Sequence, residues 1–202
     1  MTLYLVLGLT LGFAASVQPG PFTAYLIAQS LSGGWRRALP AAAAPLLSDG
    51  PIAVLALVVL THIPPGFVHW LRVLGGAFVL FLAFGAVRTW RRYDPTAPQA
   101  ASAERSFLRA ATVNFLNPGA YIGWSLVLGP LLLKGWHEAP ARGVAVVASF
   151  YGTMIATNAG IVLLFGLARG MGPRVNRALI GASALALAGL GVYQLWRGVR
   201  PN

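Results

Sequence analysis

The sequence predicts an all-α membrane protein with six transmembrane helices, built as two inverted three-helix repeats whose helices 1 and 4 are broken at Pro-Gly motifs. Three observations predict this fold. Of 202 residues, 57% are hydrophobic and only 9% charged, with a mean hydropathy of +0.70. About a quarter of the residues in a soluble domain are charged. Long stretches carry no formal charge, and a Pro-Gly motif recurs 99 residues after its first occurrence.

Each helix follows from the spacing of ionic residues, since about 20 apolar residues span a bilayer. No charge lies between Met1 and Arg36, which predicts a first helix over roughly 3–32. Between Arg37 and Arg72 the only formal charge is Asp49, and a second helix is read over 38–60. The third, over 70–90, is short between Arg72 and Arg88, but Trp70 and Trp90 suit the two interfaces and the arginines can snorkel. The runs ending at Lys134, Arg169 and Arg197 predict helices over 108–133, 142–168 and 177–196. The first repeat then covers residues 1–92, a cytoplasmic linker 93–106 and the second, inverted repeat 107–202. Phe13-Ala14-Ala15-Ser16 resembles a cleavage site. The stretch before it has no Lys or Arg and apolar sequence continues past it, so the segment is expected to be retained.

The net charge of +11 is spread over loops rather than gathered in a patch, which argues against nucleic acid as a partner. Arg72, Lys134, Arg142, Arg197 and Arg200 fall on the side that holds both termini. The other ten basic residues, among them Arg36, Arg37, Arg91, Arg92 and Arg105, fall opposite. The positive-inside rule puts the richer side in the cytoplasm and both termini outside, in a multi-pass inner (plasma) membrane protein. There is no cysteine, so disulfides and thiol chemistry are excluded. His62, His69 and His137 sit at expected loops and suggest no metal cluster, and no cofactor is expected.

Repeats supply the next signal. Gln18-Pro19-Gly20, followed by Pro21, matches Asn117-Pro118-Gly119. Arg72-Val73-Leu74-Gly75-Gly76-Ala77 matches Arg177-Ala178-Leu179-Ile180-Gly181-Ala182. Three helices per repeat is an odd number, so the second copy must run inverted. Broken helices at matching positions of inverted repeats point to a transporter with a site at the breaks. A break at membrane depth must be buried or line a wet cavity, where half-helix amides suit a carboxylate. Asp49 stands near the middle of the second helix, where a carboxylate costs about 2.5–3.5 kcal/mol to insert. It is expected to face the bundle interior, to exchange protons and to meet a substrate ammonium. Asn114 and Asn117 share a face, and Thr153, Thr157 and Asn158 lie in the fifth helix, where interhelical hydrogen bonds would explain any of them; Asn158 is either the neutral counterpart of Asp49 or such a packing contact. Tyr25, Tyr121 and Trp124 fit either a cavity wall or ordinary packing. The candidate substrate-binding set is Gln18, Pro19, Gly20, Pro21, Asp49, Asn117, Pro118, Gly119 and Asn158, with proton coupling at Asp49.

Pro19-Gly20-Pro21, Gly34, Arg36-Arg37, Asp49 and Asn117-Pro118 together resemble the LysE/RhtB family of amino-acid exporters, over essentially the whole chain. The resemblance implies proton-driven export of amino acids or related small zwitterionic metabolites rather than enzymatic catalysis. The chain departs from the family pattern in having Ser48 before Asp49, and Ala41 to Ala44 with Pro45 where glycines are usual. It has Gly123 where the basic-amino-acid branch tends to carry an acid, which makes lysine or arginine a poorer cargo. The expected partners are a small-molecule substrate and the lipid bilayer, with a homodimer as an option. The rival readings are a CcdA-like scaffold without redox chemistry and a passive small-solute pore.

Overall fold

The computed structural model describes residues 1–56, 65–94 and 102–199. The expected end of the second helix with His62, the linker residues 95–101 and Arg200 lie outside the described residues. Among the described residues all regular structure is helical. The elements are α1 (Thr2–Val17), α2 (Pro21–Gly33), α3 (Trp35–Ala38), a 3-10 stretch Leu39–Ala43, α4 (Pro45–Val54), α5 (Pro65–Arg91), α6 (Ala103–Phe115), α7 (Pro118–Gly123), a π-helical stretch Trp124–Leu128, α8 (Gly129–Glu138), α9 (Pro140–Ala168) and α10 (Pro173–Val199). Six of these helices open on a proline. Its missing N–H is one that a first turn leaves unpaired anyway, so proline starts a helix at little cost.

Residues 69–91 of α5, together with α9 and α10, are long and apolar enough to cross a membrane. Two bent pairs qualify as well, α1 with α2 at 65° and α6 with the α7–α8 run at 59°. Among the described residues that makes up to five spans; the sequence predicts six, and the end of its second lies outside them. The expected second span is not one continuous helix: α3 tightens into the 3-10 stretch and reforms as α4. Pro40 and Pro45 each remove an amide donor there, which breaks the regular i→i−4 pattern.

Packing direction follows from small residues. α1 runs beside α9 in the same sense, with Tyr4 under Arg142, Gly8 against Val146 and Ser149, and Gly12 against Phe150 and Met154. A Cβ at Gly12 would fall 2.3 Å from the Phe150 carbonyl oxygen, so only glycine allows this approach. Gly8, Gly12 and Ser16 form one small-residue stripe, the usual device for close helix packing without a hydrophobic driving force. The Ser16 hydroxyl extends it by donating to the Met154 carbonyl at 3.1 Å. α2 continues along α9, its Ser30 donating to the Val162 carbonyl at 2.5 Å. α5 and α10 run antiparallel, with Val73 beside Gly198 and Trp90 beside Gly181.

Two buried clusters result. One joins α2, the 3-10 stretch, α5, α6 and α10, centred on Leu26, Val79, Val113 and Leu187. The other joins α1, α4, α5, α7, α9 and the π-helical stretch, around Ile52, Tyr121, Val146 and Phe150. Outward side chains such as Phe84, Leu126, Leu164 and Leu185 are apolar and largely exposed, as a lipid-facing surface requires.

Candidate functional site

The first break begins where Gln18 leaves the helix with φ −58° and ψ 124°. Gly20, fully extended, then precedes Pro21, the first residue of α2, and offers no side chain to cap it. The Thr23 hydroxyl lies 3.2 Å from the carbonyl oxygens of both Ser16 and Gln18 and donates to that pair. It thereby serves the carbonyls that α1 leaves open at its end. The Phe22 and Thr23 amides, in the first turn of α2, have no intrahelical acceptor.

The second break closes on itself. Leu116 N–H donates to the Thr112 carbonyl and Asn117 N–H to that of Asn114, both at 3.0 Å. The Asn117 side chain then caps α7, its Oδ1 accepting from Gly119 N–H at 3.1 Å, while Ala120 N–H donates to the Asn117 carbonyl. The helix restarts on Pro118 here and on Pro21 at the first break. By helix register, then, Gly20 rather than Gln18 stands where Asn117 does, two residues on from the motif match. Past α7, the helix widens into the π-helical Trp124–Leu128, ahead of Pro130, which has no N–H for the Leu126 carbonyl.

Asp49 is buried on α4, with 5% of its surface exposed, and both its oxygens are held. Asn114 Nδ2 donates to Oδ1 at 2.6 Å and to the Ser48 hydroxyl at 2.7 Å. From α9, Tyr151 OH donates to Oδ2 at 3.0 Å. Trp124 packs beside the same pair, with its Nε1 buried close to both Asp49 and Tyr151. Among the described residues, the hydrogen-bond donors to this carboxylate are therefore uncharged.

One cavity of about 470 Å³ brings these parts together. Gln18, Pro19, Gly20, Pro21, Asp49, Asn117, Gly119 and Asn158 all line it, as do Phe22, Thr23 and Asn114. Of the residues predicted for the site, Pro118 alone is not in the lining; it is buried behind its own turn. Asn158 is 1% exposed, donates to the Ala42 carbonyl at 3.4 Å, and leaves Oδ1 without a partner. Trp124 lines the cavity, whereas Tyr121 packs edge-on against Phe67 and Phe115, and Tyr25 donates to the Ser106 carbonyl. Tyr151 was not foreseen. The available signal was its place on the Asn158 face of α9, seven residues earlier. Among the described residues no cluster of His, Asp or Glu suits a metal ion.

The family model for LysE type translocators matches residues 13–198. No curated protein and no solved structure matches the chain.

Proposed function

Since the chain belongs to the LysE type translocator family, and so is a membrane transport protein, we propose that it is a proton-coupled exporter of amino acids or related small zwitterionic solutes. One observation carries this reading. A buried carboxylate, Asp49, whose donors among the described residues are all uncharged, lines the same cavity as the uncapped start of α2. A buried carboxylate needs a cation or a proton to balance it. Asp49 takes the substrate ammonium in one state and a proton in the other, so that protonation releases cargo outward. The free amides of Phe22 and Thr23, with Gln18 beside them, hold the substrate carboxylate. Asn117 keeps α7 in place and presents its remaining amide nitrogen, with Asn158 completing the wall.

In this reading the chain works by alternating access between two inverted three-helix repeats, with both termini outside the inner membrane. The directions of packing are compatible with it. The first and fifth expected spans run parallel and the third and sixth antiparallel, as in any chain of six alternating spans, inverted triplets included. Reconstitution in vesicles with an imposed pH gradient tests the proposal. Wild-type export is expected to respond to the gradient and to stop with a protonophore, unlike that of a passive pore or a scaffold. Asp49→Asn is expected to abolish gradient-driven export, and full coupled export by that variant would overturn the assignment.

A further inference from the structure

We infer that the cargo is an α-amino acid with a neutral, apolar side chain of about the size of leucine, methionine or phenylalanine; this rests on the export reading and narrows it. The first argument is charge. Among the described residues Asp49 is the one charged group of the lining, and no described cation hydrogen-bonds to it. One carboxylate balances one ammonium. The second cation of lysine or arginine would lose its water in a cavity with no other counter-charge, which is the costly arrangement for buried ions. The second carboxylate of glutamate would sit near Asp49 as a like charge.

The second argument is the distribution of donors and acceptors. The carboxylate end of a zwitterion finds the uncapped first turn of α2, whose Phe22 and Thr23 line the cavity. Asn158 also stands in the lining, almost wholly buried, and its Oδ1 has no partner among the described residues. That oxygen is shut off from the cavity as well, so a guest N–H reaches it only once the side chain turns.

The third argument is the remainder of the wall. Leu11, Phe22, Val127, Leu128, Phe150 and Met154 supply apolar surface and no further hydrogen bonds. A side-chain hydroxyl placed there would go unpaired, whereas an aliphatic or aromatic one is removed from water. The volume, about 470 Å³, lies within the usual range for small-molecule sites.

Export from pH-driven vesicles loaded separately with leucine, methionine, phenylalanine, serine, lysine or glutamate tests this. The three apolar amino acids are expected to leave about tenfold faster or more than the other three. In detergent, leucine is expected to raise the Tm of the purified wild-type protein and lysine is not. Gly123 lines the cavity with nothing within 4 Å of an added Cβ, so Gly123→Asp brings a second carboxylate to the wall with no clash at its Cβ. That variant is expected to gain lysine export of about tenfold. Lysine or glutamate leaving wild-type vesicles as fast as leucine would overturn the inference and leave the exporter reading standing. No pH-driven movement of any of the six would overturn both, and Gly123→Asp that folds yet still excludes lysine would refute the charge argument.

Discussion

The two helix breaks share a Pro-Gly motif but differ in what they leave open. At Asn117 the chain satisfies itself, since the side chain and backbone carbonyl of one residue take the Gly119 and Ala120 amides. At Gly20 there is no side chain to do this, and the first turn of α2 stays uncapped, with Phe22 and Thr23 in the cavity lining. The polar burden is reversed one turn earlier. Ser16, at the end of α1, bonds only to backbone, while Asn114, at the end of α6, holds the Asp49 carboxylate. The difference teaches that repetition of a fold need not repeat its chemistry. One break keeps donors for an anion, and the other positions a carboxylate for a cation.

Four substitutions test that division. Asn114→Leu should have the largest effect, because it strips both Asp49 and Ser48 of a buried donor. A loss of about 3 kcal/mol is expected, or about a hundredfold in export, read as initial rates from vesicles with matched protein content. Tyr151→Phe removes the other donor, and about tenfold loss is expected. In an Asp49→Asn background the same change should cost far less, and equal losses in both backgrounds would show that Tyr151 does not act through Asp49. Gly20→Asn would give the first break the cap that the second has. Its backbone is extended, and an added Cβ meets nothing closer than 3.9 Å. Thermal stability should rise by a few tenths of a kcal/mol, while KM for export rises several-fold as the new cap competes for the amides. Asn117→Gly is the mirror change and the smallest. It should lose a few tenths of a kcal/mol and move KM by less than Gly20→Asn does. If the two variants shift KM equally, the breaks are functionally alike and the contrast fails.

Much of this was legible in the sequence, for physical reasons that can be named. Charge-free runs mark membrane helices because hydrocarbon excludes ions, and they located α5, α9 and α10 to within five residues at each end. Gln18-Pro19-Gly20 and Asn117-Pro118-Gly119 marked the bends because proline and glycine disrupt a helix wherever they fall. Asp49 stood out because a carboxylate among apolar residues needs a reason. The partners of Asp49 did not stand out. Tyr151 is one aromatic residue in an apolar helix, and its contact with α4 crosses 102 positions of sequence. Capping was equally hidden. Gln18 and Asn117 look alike as amides, yet only the shorter side chain, placed directly before the helix-starting proline, reaches the next amide. Pro40, Pro45 and Pro130 announce a disturbed helix, but not that one segment tightens into a 3-10 stretch at Leu39–Ala43 and the other widens at Trp124–Leu128.

The stripe at Gly8 and Gly12 has a consequence for anyone surveying this protein by mutation. An added Cβ at Gly8 would fall 1.9 Å from the Ser149 hydroxyl oxygen and at Gly12 2.3 Å from a backbone carbonyl oxygen of α9. Alanine at either place pries apart the two helices whose contact puts Gln18 and Tyr151 on one rigid body. A growth-based screen would score both as loss of transport and draw the substrate path along α1. Counting protein in the membrane fraction before counting transport separates the two, because such variants are missing from the membrane rather than present and idle.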